Sequence, residues 1–517
     1  MLNAAVRRHA GTVRQLPASL LFKESFASSA SAPRAVSGDG EPKPLSQMDG
    51  PGWWNILYQA QAGEDQLKVY EKVYQQYKSA GVAKVKGIKG DTEVYVFNQD
   101  DVAHVYLNDG AHPHSPAQDI QGLASFLIKR YGEDSQDSFS HFAFSEKEEV
   151  WRHGREIIAG ALLSKGIPTY APLIQEAARN AAPYIEVYED DMFRFFQLAA
   201  FDMFGAAVWG DNAESVMDPK SDNPLKQMVD LDEQSLALDV TVSFAPFFLH
   251  PRNAAAKLDE AYGKLYDLAE PIIDRIFDPT KEVKPCFFKD MKEVHGLSRN
   301  EIAASVGSLL AAGIGTTAGT MSMLYTALLM HPECQLKIRA EINQVLGKDE
   351  PYGQRTKLPY LEAVIRETHR LYPGAAVATM RLLKEDLVLP ATGYRIPAGT
   401  KVHLCPGYAA RDTEINSDAS EFNPDKYLKG AKAAAKGCPH QSLYYSRVNK
   451  DPFSMGPRSC AGKRVAEIEI RSLFVELLRR YEFVPEAPLS INGMKFKQRT
   501  LRVPETVPKC RIIPVQA

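Results

Sequence analysis

Apolar residues recur at helical spacing through most of the chain, and short alternating stretches interrupt them. A helix is expected from Gln66 to Lys78. Val82 to Ile88 and Thr92 to Phe97 alternate across Lys89-Gly90-Asp91 in the manner of a β-hairpin. From Asp100 to about Leu346 nearly everything has helical period, broken by polar loops near 109–119, 211–224 and 279–298. A second small β region is expected at Val377 to Leu383 and Leu387 to Val402, and another helix runs from Gly462 to about Arg480. Residues 428–442 read as a low-complexity loop or insertion. No internal repeat or interdomain linker is visible, so the pattern predicts one large, mainly α domain over residues 44–517 with a small β subdomain.

Two segments need separate treatment. Ile302 to Met330 contains no charged side chain and is long enough to cross a bilayer. Eleven of its 29 residues are Gly, Ser or Thr, clustered around Gly313-Ile-Gly-Thr-Thr317, which favours a helix buried in a soluble core with something packed closely against its centre. Residues 1–36 carry Arg7, Arg8, Arg14, Lys23 and Arg34 against Glu24 alone, then a Ser/Ala tract. Leu2, Val6, Ala10 and Val13 share one helical face, the pattern of a cleaved mitochondrial presequence. The alternative is a disordered basic tail.

Composition narrows the classes further. The 517 residues hold 61 Lys+Arg against 64 Asp+Glu, a formal charge of -3, with no long basic run to serve as a nucleic-acid footprint. At 44% hydrophobic, the chain is neither disordered nor fibrous. Its six cysteines (Cys286, Cys334, Cys405, Cys438, Cys460 and Cys510) are too sparse for a disulfide scaffold and form no CxxC pair. Loss of residues 1–36 would remove five bases and one acid, taking the charge to -7.

The candidate chemistry centres on Phe453-Ser-Met-Gly-Pro-Arg-Ser-Cys-Ala-Gly462. Cys460 lies two residues before a Gly that opens a helix, where backbone N–H groups and the positive helix end favour thiolate over thiol. Gly456 permits a tight turn, Gly462 allows close approach by something flat, and Arg458 places a cation beside the sulfur. Together these describe a cysteine that ligates a metal from a turn, with an anion nearby.

That segment matches the heme-binding signature FxxGxRxCxG of the cytochrome P450 family, and four further motifs follow the family's order. Glu367-Thr-His-Arg370 resembles ExxR; Ala312-Gly-Ile-Gly-Thr-Thr317 resembles the distal I-helix motif; Trp151-Arg-His-Gly-Arg155 resembles the C-helix WxxxR; Phe422-Asn-Pro-Asp-Lys-Tyr427 resembles FxPxRW. The resemblance implies a P450 fold enclosing heme b (iron protoporphyrin IX), with Cys460 as the axial thiolate of the heme iron. It implies that Trp151, Arg155 and Arg458 hold the propionates, joined by Arg381 on the strength of its position after the ExxR helix. Phe453 would pack beside the sulfur-bearing loop. Thr316 would hydrogen-bond dioxygen and relay protons, with Ala312 and Gly313 leaving room for dioxygen and substrate. Glu367 and Arg370 would be structural.

Two positions depart from the family pattern. Gly315 stands where an acid usually precedes the distal Thr, so protons must come from water, another side chain or the substrate. Lys426 replaces Arg, exchanging a bidentate fork for a point charge. Among the family's branches, the leader, the Lys463-Arg464 pair and Asp191-Met-Phe-Arg-Phe-Phe-Gln-Leu-Ala-Ala-Phe-Asp202 resemble the mitochondrial type. The expected activity is insertion of one oxygen atom from O2 into an apolar, sterol- or lipid-like molecule. Electrons would come from an acidic ferredoxin and its reductase, docked on Arg447, Lys450, Lys463 and Arg464, on the matrix side of the inner membrane. Two lysines frequent in that branch correspond here to Glu362 and Arg366. Leu236 to Leu249 is either a monotopic membrane contact or a lid. A heme-thiolate isomerase or dehydratase acting on an oxygenated lipid, and a heme-binding protein without turnover, are the alternatives.

Overall fold

The computed structural model describes residues 41–51, 66–86, 91–110, 112–114, 122–137, 139, 142–143, 145–164, 166–210, 217–244, 250–347, 350, 352–353, 356–374, 379–415, 417–428, 452–498 and 501–515. The leader at 1–36, the low-complexity segment from residue 429, Arg447, Lys450 and the end of the segment running to Leu249 lie outside the described residues.

Thirteen helices are described: α1 (Gln66–Tyr77), α2 (Gln99–Asn108), α3 (Gly122–Tyr131), α4 (Glu148–Ile158), α5 (Ile167–Ala181), α6 (Met192–Val208), α7 (Leu225–Phe244), α8 (Ala254–Phe277), α9 (Phe287–Glu293), α10 (Arg299–Met330), α11 (Pro332–Leu346), α12 (Pro359–Leu371) and α13 (Lys463–Arg480). The uncharged stretch is α10, and most of it is buried inside the protein rather than facing outward. Its start is set by a capping box in which Ser298 and Glu301 exchange side-chain and backbone bonds. Along it Thr316, Thr320, Ser322 and Thr326 each donate their hydroxyl to the carbonyl four residues back, at 2.7–2.9 Å. Spending hydroxyl protons inside the helix lets a polar-rich segment sit in an apolar core. α10 packs against α6, in which every residue except Arg194 is buried.

The β subdomain is a four-stranded sheet ordered β2 (Val82–Lys86), β3 (Thr92–Val96), β7 (Lys401–Leu404), β4 (Thr379–Leu382). β2 and β3 form the expected antiparallel pair, with Val82 opposite Val96, and β3 runs parallel to β7. A smaller sheet joins β1 (Lys43–Pro44), β6 (Tyr394–Ile396) and β5 (Leu387–Val388). Near the C-terminus β8 (Tyr481–Pro485) pairs with β11 (Cys510–Pro514), and β9 (Phe496–Gln498) with β10 (Arg502–Pro504).

Two expectations change. The loop expected at 279–298 contains α9, whose Phe287, Phe288 and Met291 are buried; seven residues are too few to establish a helical period in sequence. The stretch Leu387 to Val402 is not one alternating segment but three strands, because Gly393 turns the chain at φ +77 with its N–H bonded to Leu389 O.

Candidate functional site

The loop before α13 is wound tightly around its cysteine. Cys460 N donates to Phe453 O at 2.8 Å and Ser459 N to Gly456 O at 3.0 Å. Gly456 takes φ +78, where an L side chain would be strained, as the turn reading expects. Gly462 caps α13 without a side chain, and a Cβ there would meet no atom within 4 Å. Open space therefore borders the loop at that residue. Cys460 is exposed, in contrast to the buried Cys286, Cys334, Cys405 and Cys510. It lines a cavity of about 630 Å³ whose opposite wall includes Ala312, Gly313 and Thr316 of α10.

Three guanidinium groups bear on the loop, one of them its own Arg458. Arg155 on α4 donates to Ser459 Oγ at 3.2 Å; burial lowers its pKa, and a charge on Cys460 opposes that shift. Arg458 is wedged between the Trp151 ring, 4.9 Å from its centroid, and His112 Nε2 at 2.9 Å, with Nε donating to Pro113 O. Since arginine only donates, His112 accepts at Nε2 and holds its proton at Nδ1. Burial, with repulsion from Arg458, pushes that imidazole down to about 4. Arg381 of β4 is buried, with Nε 2.8 Å from Asp109 and Nη1 on Thr379 and Met380 O, while Nη2 has no hydrogen-bond partner among the described residues.

These cations outnumber the anions around them. Burial, then Arg381 and Arg155, push Arg458 down to about 10, with Asp109 acting in the other direction. Burial also lifts Asp109 to about 6 despite Arg381. An orphaned buried N–H and mutually repelling guanidiniums beside open space fit a planar group that brings two carboxylates of its own. A heme with its propionates is such a group.

On α10 the geometry refines the sequence reading. Thr316 donates its proton to Ala312 O at 2.7 Å, leaving its oxygen lone pairs toward the cavity side. A Cβ on Gly313 would lie 2.5 Å from the Phe204 ring, so glycine is required there for packing on α6 as well as bordering the cavity. Next along, Thr317 donates to Glu469 of α13 at 3.2 Å. Burial pushes Glu469 up to about 8, and its Oε1 has no partner among the described residues.

Below the site, Glu367 and Arg370 on α12 form a buried fork, Nε to Oε2 at 2.9 Å and Nη2 to Oε1 at 2.8 Å. Arg370 also donates to the carbonyls of Ala410, Ala419 and Glu421, tying α12 to the chain that leads into the Phe422–Tyr427 segment. Lys426 Nζ reaches Glu367 Oε1 at 2.8 Å as a point charge, and Tyr427 OH adds a bond to Oε2 at 3.0 Å.

Sequence reasoning missed Asp109, His112 and Glu469. The first two sit in a polar loop with no motif around them, and only the tertiary fold brings them to Arg381 and Arg458. Glu469 had a signal: it is an acid at a core-facing position of α13, between the buried Ile468 and Ile470.

Comparison with known proteins agrees with the motifs. The family model "Cytochrome P450" matches residues 48–504. The chain is 25% identical over 488 residues to "Cytochrome P450 12b1, mitochondrial" of Drosophila acanthoptera, covering 87% of each protein. It is 32% identical over 422 residues to "Probable cytochrome P450 12b2, mitochondrial" of Drosophila melanogaster, covering 77% of this chain and 76% of that one. On the five ordered motifs, the anion-seeking arginines beside Cys460 and a match across most of its length, the chain belongs to the cytochrome P450 family of heme-dependent monooxygenases.

Proposed function

We propose that this protein is a mitochondrial heme-thiolate monooxygenase that takes electrons from a ferredoxin and its reductase and oxygenates an apolar small molecule. The observation that carries the reading is the cluster of Arg155, Arg381 and Arg458, short of anions and set beside the exposed Cys460 at the edge of a largely apolar cavity. Heme bound there supplies activation of O2 by a thiolate-ligated iron. Cys460 would provide the thiolate ligand, favoured by the N-terminus of α13, which has no side-chain cap, and by Arg155. Arg155, Arg381 and Arg458 would hold the propionates, with Trp151 and His112 bracing Arg458. Phe453 anchors the loop through its carbonyl bond to Cys460 N. Glu367 and Arg370 fix the chain beneath.

Proton handling departs from the family pattern because Gly315 offers no acid. Thr316, whose own proton is committed to Ala312 O, receives a hydrogen bond at Oγ1 and holds water in place. Glu469 of α13, raised to about 8 by burial, retains a proton at neutral pH beside Thr317, the next residue along α10. It is the reserve from which the cavity water is recharged.

Residues 1–36 are the cleaved address and 44–517 the working domain, in keeping with relatives named mitochondrial. The described part of the docking face is mixed in charge: Arg464 pairs with Glu467 at 3.0 Å, Arg366 lies 3.7 Å from Glu362, and Lys463 sits over the Phe453 ring. A donor that docks there must compete with these internal pairs, so reduction is expected to be sensitive to salt. The test is the absorption spectrum of the reduced, carbon-monoxide-bound protein together with turnover assays. A red-shifted thiolate band and turnover that requires ferredoxin and reductase support the reading. Absence of the band removes it, and turnover of a hydroperoxide without electrons replaces it with an isomerase.

A further inference from the structure

The far wall of the cavity holds a carboxyl group that oxygen activation does not use. Asp232 lies on α7, is only 7% exposed, and lines the same cavity as Thr316 and Cys460. The other acids of α7 all have partners. Asp230 meets Arg194 at 2.8 Å, Glu233 accepts from Gln197 at 2.8 Å, and Asp239 accepts from Gly122 N, Leu123 N and Tyr262 OH at 2.7–2.9 Å. Among the described residues Asp232 has neither a hydrogen bond nor an ion pair for its carboxyl.

Its neighbours in the cavity wall cannot satisfy it. Ser235 donates to the Asp232 backbone carbonyl and Ser308 to Ser305 O, so both hydroxyl protons are spent on their own helices. Tyr262 spends its proton on Asp239. The cavity that Asp232 lines is otherwise largely apolar, with Leu123, Leu236 and Phe204 among its walls. A buried carboxyl with no partner costs stability unless something from outside completes it.

We propose that Asp232 is the specificity-determining residue of this site, and that the substrate is an apolar molecule whose far end carries a hydroxyl group bonded to the Asp232 carboxyl. The assignment rests on the monooxygenase reading above and adds the substrate's head group to it. Burial, with the neighbouring Glu233 charge, pushes Asp232 up to about 8, so at neutral pH the carboxyl offers one donor and one acceptor. An alcohol reciprocates both; an ether can only accept.

The test uses the heme-loaded full chain and two probes of one scaffold, 1-decanol and decyl methyl ether, with affinities from calorimetric titration. The alcohol is expected to bind about tenfold more tightly than the ether, a ratio in the range of one well-made buried hydrogen bond. Asp232→Leu should reduce that ratio below about threefold without weakening the ether. Asp232→Asn, whose amide also donates and accepts, should retain the preference. Equal affinities in the wild type, a preference that survives in Asp232→Leu, or no binding of the alcohol overturns the proposal. Loss of the thiolate band from the wild type is failure of the heme reading; an intact band without an alcohol preference overturns the Asp232 assignment alone.

Discussion

Replacing Glu367 by Gln removes one charge from the most densely bonded group in the site. Its Oε1 receives Arg370 Nη2, Asn423 N and Lys426, and its Oε2 receives Arg370 Nε and Tyr427 OH. The glutamine oxygen can serve the first set, which places its NH2 against Arg370 Nε. Tyr427 can rotate to accept from that NH2, whereas a guanidinium N–H cannot. The variant therefore leaves a buried arginine and a half-buried lysine without their counter-charge, for a cost of about 3–5 kcal/mol. That is a large part of the ~5–15 kcal/mol by which a folded protein is usually stable. Urea denaturation followed by near-ultraviolet dichroism would measure it, with the thiolate band as a readout of whether the Cys460 loop keeps its shape. Burial pushes Glu367 up, but the Arg370 fork and charge and then Lys426 outweigh it and leave the carboxyl below its usual range. Its stabilisation is thus complete above the ordinary carboxylate range and is lost as pH falls through the folded value, so the wild-type advantage should shrink in acid. A loss below about 1 kcal/mol at neutral pH, or an advantage that grows in acid, would refute the argument.

Gly313→Ala forces a methyl group to within 2.5 Å of the Phe204 ring and should cost about 1–3 kcal/mol. Phe204→Leu in the same chain should recover part of that loss in a double-mutant cycle, and strict additivity would show that the contact is not the cause. Glu469→Gln should flatten the dependence of stability on pH. A carboxyl raised to about 8 favours the fold while protonated, so wild-type stability should fall as pH rises from the ordinary carboxylate range to about 8 and level off above it, and unfolding midpoints across the range would record it. If the variant's slope equals the wild type's, Glu469 is not held protonated.

The helical body, the hairpin and the buried character of α10 were legible because each rests on local periodicity or on a composition no membrane helix needs. The cysteine loop was legible for another reason: Gly456, Arg458, Cys460 and Gly462 carry their meaning at fixed spacing within ten residues. α9 was not, since seven residues do not complete enough turns to set a period. The glycine at 313 was legible as a gap but not in its cause, because Phe204 comes from a helix more than a hundred residues away.

The fold class and the heme family were readable along the chain, since periodicity and closely spaced motifs depend on near neighbours. Only the tertiary structure decided how charge is balanced around the site. Whether a buried arginine, aspartate or glutamate finds a partner depends on residues distant in sequence. Asp109 reaches Arg381 across β4, His112 reaches Arg458, and Thr317 reaches Glu469 between α10 and α13. Electrostatic interactions and desolvation act through space in a low-dielectric interior, so no local pattern could foretell that, among the described residues, Arg381 would be left with an open N–H or Asp232 with an unanswered carboxyl.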